Sequence, residues 1–179
     1  MNSFIKNMRI SRAIMTVALV PIIVAVAFFG LIVYQEMKTV QGLNHLETLT
    51  TLSVKMSGLV HEQQKERGAT AVFLGSGGTK FRDVVDGQRK NTELKRADFI
   101  AYLKTFDAAS FGPDFNAKLK DVLAELEKID SVRAKADALS IPASESSAYF
   151  SGLNAKNLSV IGFMATLSPN AQIVASIVG

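Results

Sequence analysis

The chain has 179 residues, of which 48% are hydrophobic, a formal net charge of +4 and no cysteine. This length allows one ordinary domain and a short additional element, and the lack of cysteine excludes disulfides and thiolate metal sites. Lys6, Arg9 and Arg12 carry most of the charge excess: removing these three from the 20 Lys and Arg leaves 17 against 16 Asp and Glu. The basic pI therefore gives no indication of nucleic-acid binding.

An apolar run without charges extends from Ala13 to Tyr34. A helix of about 22 residues is roughly 33 Å long, enough for a hydrocarbon core of about 30 Å. The preceding basic residues place the N-terminus in the cytoplasm. We therefore predict a cytoplasmic segment at 1–12, a transmembrane helix at 13–35 in a bacterial inner membrane, and a periplasmic domain at 36–179. A cleaved signal peptide is the alternative, but no small-residue cleavage site follows Tyr34.

Beyond the apolar run, the spacing of apolar residues is helical, and no segment alternates like a half-buried strand. The remaining prolines lie where an apolar repeat has just stopped. We predict an all-α, up-down bundle of long antiparallel helices. Its helical stretches extend from the apolar run to about Gly75, from 80 to 106, from 114 to 139 and from 144 to 167, and a fifth begins at Ser168-Pro169.

The buried stripe of the first stretch becomes polar near its end. The predicted inward positions alternate three and four residues apart: Leu49, Leu52, Met56, Leu59, Gln63, Glu66, Thr70 and Phe73. The second stretch also becomes polar in the middle of its predicted inward positions, which are Phe81, Val85, Gln88, Thr92, Lys95, Phe99, Tyr102 or Leu103, and Phe106. The linker GSGGT at 75–79 is typical of a helical hairpin, because glycine commonly ends a helix and the Lys-Ser/Thr ending of a phosphate-binding loop is missing. Such a hairpin brings Arg67 level with Gln88 and Arg89.

This polar level has three interpretations. Glu62 and Glu66 can pair with Arg67 or Arg89 in a structural layer that fixes helix register. A misjudged helix phase would make the polar residues a solvated face. Alternatively, forked guanidinium groups from two helices bind a small oxyanion. One charge-assisted hydrogen bond contributes about 1.5 to 3 kcal/mol, whereas micromolar affinity needs about 8 kcal/mol, so a single arginine is not sufficient.

The residues His61 to Gly78 (HEQQKERGATAVFLGSGG), followed by Phe81 to Glu93 (FRDVVDGQRKNTE), resemble the start of the nitrate- and nitrite-sensing domain of bacterial chemoreceptors, histidine kinases and cyclases. The matching parts are Lys-Glu-Arg-Gly at 65–68, Gln-Arg at 88–89 and the Thr-acid pair at 92–93. Gln63 departs from the family pattern, in which leucine is expected, and so does Glu93, where aspartate is usual. The family's domain is longer than the part that precedes Gly179, so we expect the sensor domain to be incomplete at its C-terminal end.

The resemblance implies a receptor, most simply in chemotaxis, that binds nitrate or nitrite between helices and signals by a population shift. The expected anion ligands are Gln64, Arg67, Gln88 and Arg89. We expect no enzymatic activity, no cofactor and no metal, and as partners a small inorganic anion, the membrane and a second copy of the chain, without nucleic acid. A structural or dimerising stalk and a sensor for another small anion are the alternatives.

Overall fold

A computed structural model describes the backbone of residues 2–167 and the side chains of residues 15, 19, 21–37 and 45–167. Every regular element in this part of the chain is helical, which confirms the predicted all-α class. The elements are α1 (Asn2–Gly75), α2 (Arg82–Leu103), a short 3-10 helix (Ala108–Phe111), α3 (Pro113–Leu126), α4 (Ile129–Asp137) and α5 (Ala143–Thr166). The helix predicted from Ser168 lies outside the described residues.

The chain divides into two compact units, Met1–His45 and Leu46–Gly179. The first unit is the N-terminal part of α1, and its described side chains at 21–37 are all exposed. The transmembrane helix predicted at 13–35 is not found: within the described residues, no helix combines the length and the apolar character that crossing a bilayer requires. Part of that predicted span, including the side chains at 13 and 14, lies outside the described residues.

The second unit is a bundle, and its core contains the predicted stripe of α1. All eight predicted positions of this stripe are buried, including the polar Gln63, Glu66 and Thr70. The four apolar members before Gln63 pack with Phe99 of α2 and with α3 and α5, whereas Phe73 packs with Ala69 and with Val85 of α2. Each fully buried Leu or Phe contributes about 1.5 to 3 kcal/mol to folding, so the apolar half of the stripe is what holds the bundle together. On α2 the prediction is partly wrong, because Phe81 and Lys95 are exposed.

The helices alternate in direction when α3 and α4, which continue in the same direction, are counted as one. The paired contacts show this, because residue numbers rise along one helix as they fall along its neighbour. This confirms the up-down arrangement within the second unit. It also makes α5 antiparallel to α1, since three reversals separate them. The contacts are Lys55–Asp98 and Glu62–Gln88 for α1 and α2, Arg89–Asp137 and Arg96–Asp130 for α2 and α4, and Tyr149–Glu125 and Lys156–Asp121 for α5 and α3.

The GSGGT linker forms the predicted hairpin turn between α1 and α2. Gly77 and Gly78 have φ values of +63° and +80°, which glycine adopts without strain. The amide of Gly78 donates to the carbonyl of Phe73 at 3.0 Å, which satisfies one of the last carbonyls of α1. A Cβ at Gly78 would lie 3.1 Å from Leu139, so the α4–α5 connection also depends on this glycine.

The third predicted stretch is divided into α3 and α4. The break is a local tightening at Lys128, whose amide donates to the carbonyl of Glu125, three residues back, instead of four. The buried positions nevertheless keep their spacing of three and four across the break, so α3 and α4 present one continuous stripe. This stripe contains Arg133, whereas the neighbouring Val132 is only partly buried. The positions are Phe115, Leu119, Val122, Leu126, Ile129, Arg133 and Ala136.

Candidate functional site

The polar part of the α1 stripe has two faces. Successive residues of a helix are rotated by about 100°, so Glu62 and Glu66 point to one side, and Gln63, Arg67 and Thr70 point to the next. We call the first the ion-pair face and the second the amide face. The ion-pair face contacts α2 and α4, whereas the amide face lies against α5, where Arg67 finds its partner.

Glu66 is the centre of the ion-pair face. It is fully buried and accepts two hydrogen bonds from the guanidinium of Arg133, from Nε at 2.7 Å and from Nη2 at 2.9 Å. Nη1 of Arg133 donates to Glu93 at 2.6 Å and to Asp130 at 3.1 Å. Burial would lower the pKa of Arg133, but the hydrogen bonds and negative charges of Glu66 and Glu93 raise it above its ordinary value. The buried charges on this face are therefore compensated.

Arg89 and Gln88 lie on the ion-pair face at the predicted level. Both oxygens of Asp137 accept from Nη1 of Arg89, at 3.0 and 2.9 Å, and Nε of Arg89 lies 3.9 Å from the Glu66 carboxylate without a hydrogen bond. Nε2 of Gln88 donates to the carboxylate of Glu62 at 2.6 Å, which lowers the pKa of that carboxyl. Burial opposes the shift at Asp137, but Arg89 and Arg82 lower its pKa as well. This face has the properties of the structural layer that fixes helix register.

Arg67 lies on the amide face, apart from these ion pairs. Its side chain is partly buried, and Nη1 donates to the hydroxyl of Ser151 on α5 at 2.9 Å. No carboxylate among the described residues forms an ion pair with Arg67, so a neutral hydroxyl is the partner of a permanent positive charge. Gln64, one turn before Arg67, is exposed. The structure thus does not bring the four predicted ligands to one point: Gln88 and Arg89 contact acidic partners, Arg67 contacts Ser151, and Gln64 lies at the surface.

The buried side of α5 also carries polar residues. Ser146, Asn154 and Asn157 are at most 4% exposed. Because the helices are antiparallel and Arg67 meets Ser151, the level of Gln63 on α1 corresponds to about residue 155 on α5, and that of Thr70 to about residue 148. Gln63 therefore lies level with the two asparagines, and Thr70 lies near the level of Ser146.

Most polar atoms in this layer have no hydrogen-bond partner among the described residues. They are both polar atoms of Gln63, both of Asn154, Oδ1 of Asn157, Oγ1 of Thr70 and Oγ of Ser146. Buried polar groups are nearly always satisfied, and each unsatisfied one costs about 1 to 3 kcal/mol. The amide face therefore has unused hydrogen-bonding capacity beside an uncompensated arginine. In the described part of the chain, no group of His, Asp and Glu is arranged to hold a metal ion.

The sequence interpretation missed Arg133, Asn154 and Asn157. Arg133 continues the apolar spacing of α3, four residues after Ile129 and three before Ala136, and this spacing would have identified it. The two asparagines follow the buried Leu153 by one and four residues, but α5 is so apolar overall that its inward side cannot be assigned without its neighbours. The pairing of polar positions on α1 and α5 depends on tertiary contacts.

Two comparisons with known proteins gave matches, one for the family and one for the fold. A family model described as nitrate and nitrite sensing matches residues 58–179. The fold is similar to a solved structure, that of the NasR transcription antiterminator, with a TM-score of 0.67 and 25% sequence identity over 71% of this chain. This chain corresponds to 34% of the length of that protein. No curated protein matches the chain.

The structural relative corrects the predicted partners. The sequence interpretation excluded nucleic acid and required a membrane, whereas the relative is a transcription antiterminator. The prediction of partners is therefore wrong in these two respects, because the charge balance and the apolar run that supported it do not determine what a sensory bundle controls. The predicted location in an inner membrane and the chemotaxis role have no support from these comparisons.

Proposed function

The chain belongs to the nitrate and nitrite sensing family, which residues 58–179 match, and we propose that it is a sensory domain that binds one of these anions at the amide face of α1. The role is regulatory and not catalytic. Binding changes the packing of α5 on α1 and so passes the signal to an effector.

The observation that supports this site most directly is the partner of Arg67. A buried or partly buried guanidinium usually faces a carboxylate, as Arg133 and Arg89 do. Arg67 instead donates to Ser151, so its charge stays available for an anion. A guanidinium is planar and forked, and two of its N–H groups can bind two oxygens of nitrate or nitrite at once. Gln64, three residues before Arg67 on the same side of the helix, supplies a further amide at the surface.

Gln88 and Arg89 have a supporting role in the proposed site. Direct contact with the anion would require Gln88 to leave Glu62 and Arg89 to leave Asp137. We therefore propose that these two residues support the site by holding α2 and α4 in register with α1. Changes at Gln88 or Arg89 would then alter stability as well as affinity.

The mechanism is a population shift between two packings of α5 on α1. A ligand that satisfies the buried polar groups of the amide face stabilises one packing, because it removes the cost of leaving them unbonded. For the output, the similarity to the antiterminator favours transcriptional control over the chemotaxis that the sequence first indicated. A reporter for transcription termination in cells grown with and without nitrate tests this output, and an unchanged signal would contradict it.

Isothermal calorimetry on the full-length protein tests the binding. Sodium nitrate and sodium nitrite are titrated against sodium chloride at equal ionic strength. Arg67→Lys keeps the charge and loses the fork, so we expect an affinity weaker by about 10- to 100-fold, which corresponds to about 1.4 to 2.7 kcal/mol. Arg82→Lys is the matched control, because Arg82 is exposed on α2 and pairs with Asp86 and Asp137. Heat from neither anion would refute the proposed function, and an unchanged affinity of Arg67→Lys would remove Arg67 from the site.

A further inference from the structure

Gln63 and Asn154 are buried carboxamides whose polar atoms are all without hydrogen-bond partners among the described residues. They are the carboxamides, in the described part of the chain, whose nitrogen and oxygen are both buried and both without a hydrogen-bond partner. Gln63 is fully buried on α1, and Asn154 is 4% exposed on α5. A carboxamide brings two N–H donors and an acceptor oxygen, so each side chain has several unused hydrogen bonds.

The register of the two helices places these amides on the inner side of Arg67. Gln63 precedes Arg67 by four residues, about 6 Å along α1, and Asn154 follows Ser151 by three, about 4.5 Å along α5. Because the helices are antiparallel, both steps lead in the same direction from the Arg67–Ser151 contact. Arg67 is partly exposed, whereas both amides are buried. Arg67 is therefore the partly exposed member, and Gln63 and Asn154 are the buried members, of one polar group along α1 and α5.

The chemistry of this polar group, Arg67 with Gln63 and Asn154, favours a small oxyanion. The Arg67 guanidinium repels a cation, and the carboxylates of Glu62 and Glu66 on the other face of α1 are bound by Gln88 and by Arg133. Asn157 is fixed by donation from Nδ2 to the carbonyl of Leu153 at 3.0 Å, and its Oδ1 has no hydrogen-bond partner among the described residues. That oxygen can orient one amide NH2 group of the layer, and the remaining N–H groups can bind anion oxygens. Directional donors at separate positions suit a planar oxyanion better than a spherical halide.

We propose that Gln63 and Asn154 determine the specificity of the anion site, and that their NH2 groups bind the oxygens of a small planar oxyanion whose charge Arg67 compensates. This inference depends on the proposed function for the identity of the anion. Both amides lie between packed helices, so an anion reaches them when α5 shifts on α1. Selection of the anion and the change in packing are therefore one event.

The test compares Gln63→Met and Asn154→Leu, which approximate the replaced shapes without hydrogen bonds, with the control Asn91→Leu at an exposed position of α2. Calorimetry and thermal unfolding of the full-length protein are measured with nitrate, nitrite, bicarbonate and chloride. We expect each of the two variants to weaken nitrate or nitrite binding by about tenfold or more, the effect of losing one hydrogen bond to a charged ligand. The preference over chloride should fall, while the unfolding temperature without anion rises. If Asn154→Leu does not fold, Asn154→Ala replaces it.

The outcomes separate this inference from the proposed function. If the wild-type protein binds nitrate or nitrite and both variants bind equally well, the amides are not ligands and the inference fails, while the proposed function stands. If the wild-type protein prefers bicarbonate and the variants lose that binding, the amides are ligands and the named anions are wrong. Absence of binding to all these anions would overturn both.

Discussion

The two faces of α1 are adjacent in sequence, yet their polar side chains are satisfied in opposite ways. On the ion-pair face, Glu66 has both carboxylate oxygens bonded by Arg133. On the amide face, Gln63 is equally buried and neither of its polar atoms is bonded. A single helix thus has one polar side whose buried carboxylate is bonded by an arginine, and another whose buried amide is not bonded within the described residues. This difference distinguishes a structural polar layer from a candidate binding site more clearly than the mere presence of buried polar residues.

The largest expected effect comes from breaking the ion-pair face. Glu66→Gln leaves Arg133 without its buried partner, and removing one member of a buried ion pair typically costs 3 to 5 kcal/mol, so we expect a loss of about 3 kcal/mol in the free energy of unfolding. Urea unfolding measures it, with Glu127→Gln at an exposed position as the control. Replacing both partners, as in Glu66→Met with Arg133→Met, should restore most of the loss. If Glu66→Gln is as stable as the wild type, the ion-pair face does not depend on the bonds between Glu66 and Arg133.

A smaller effect distinguishes two buried threonines. Thr92 lies on α2 and its hydroxyl donates to the carbonyl of Gln88 at 3.2 Å, whereas the hydroxyl of the buried Thr70 has no partner among the described residues. Thr→Val keeps the shape and removes the hydroxyl. We expect Thr92→Val to destabilise the protein by about 1 kcal/mol and Thr70→Val to stabilise it by a similar amount. Urea unfolding without added nitrate measures both, and equal changes in the two variants would remove the proposed difference between the faces.

The smallest effect is the pH dependence of the ion-pair face. The pKa values of Glu62 and Asp137 are lowered in the folded protein. Their contribution to stability is present above the ordinary carboxyl pKa of about 4. It decreases as the pH falls through that value toward the lower folded pKa, because the unfolded chain then binds more protons. Urea midpoints measured between pH 7 and pH 3 should fall in the acidic range. Glu62→Gln should flatten this profile, and an unchanged profile would contradict the assignment.

Much of the fold follows from the sequence. The spacing of apolar residues located the buried stripe of α1 completely, because a helix that packs on one side must repeat every three or four residues. The glycines of the 75–79 linker marked the hairpin, since positive φ values there need glycine. The same spacing was less informative for α2, where Phe81 and Lys95 are exposed, because its polar middle leaves the phase poorly defined.

The candidate site follows from the sequence only in part. The level of Arg67, Gln88 and Arg89 was predicted from the length of the hairpin, and the contact between Gln88 and Glu62 agrees with it. The sequence did not predict that Arg67 is separated from Arg89. Arg89 lies on the side of α1 that carries Glu66, whereas Arg67, the next residue along α1, points to α5. Which helix covers each side, α4 with Arg133 or α5 with Ser151, depends on the order of packing in the bundle.

The sequence by itself determined the all-helical class, the buried stripe of α1, the hairpin and the resemblance to nitrate- and nitrite-sensing domains, because these depend on local spacing and on short motifs. Only the tertiary structure decided that Glu66 is bound by Arg133, that Gln63 and Asn154 are buried without hydrogen-bond partners among the described residues, and that Arg67 donates to Ser151. The physical reason is that hydrogen bonds between helices depend on which side chains meet across the bundle, and residues 67 and 151, which are 84 positions apart, have no local pattern that relates them.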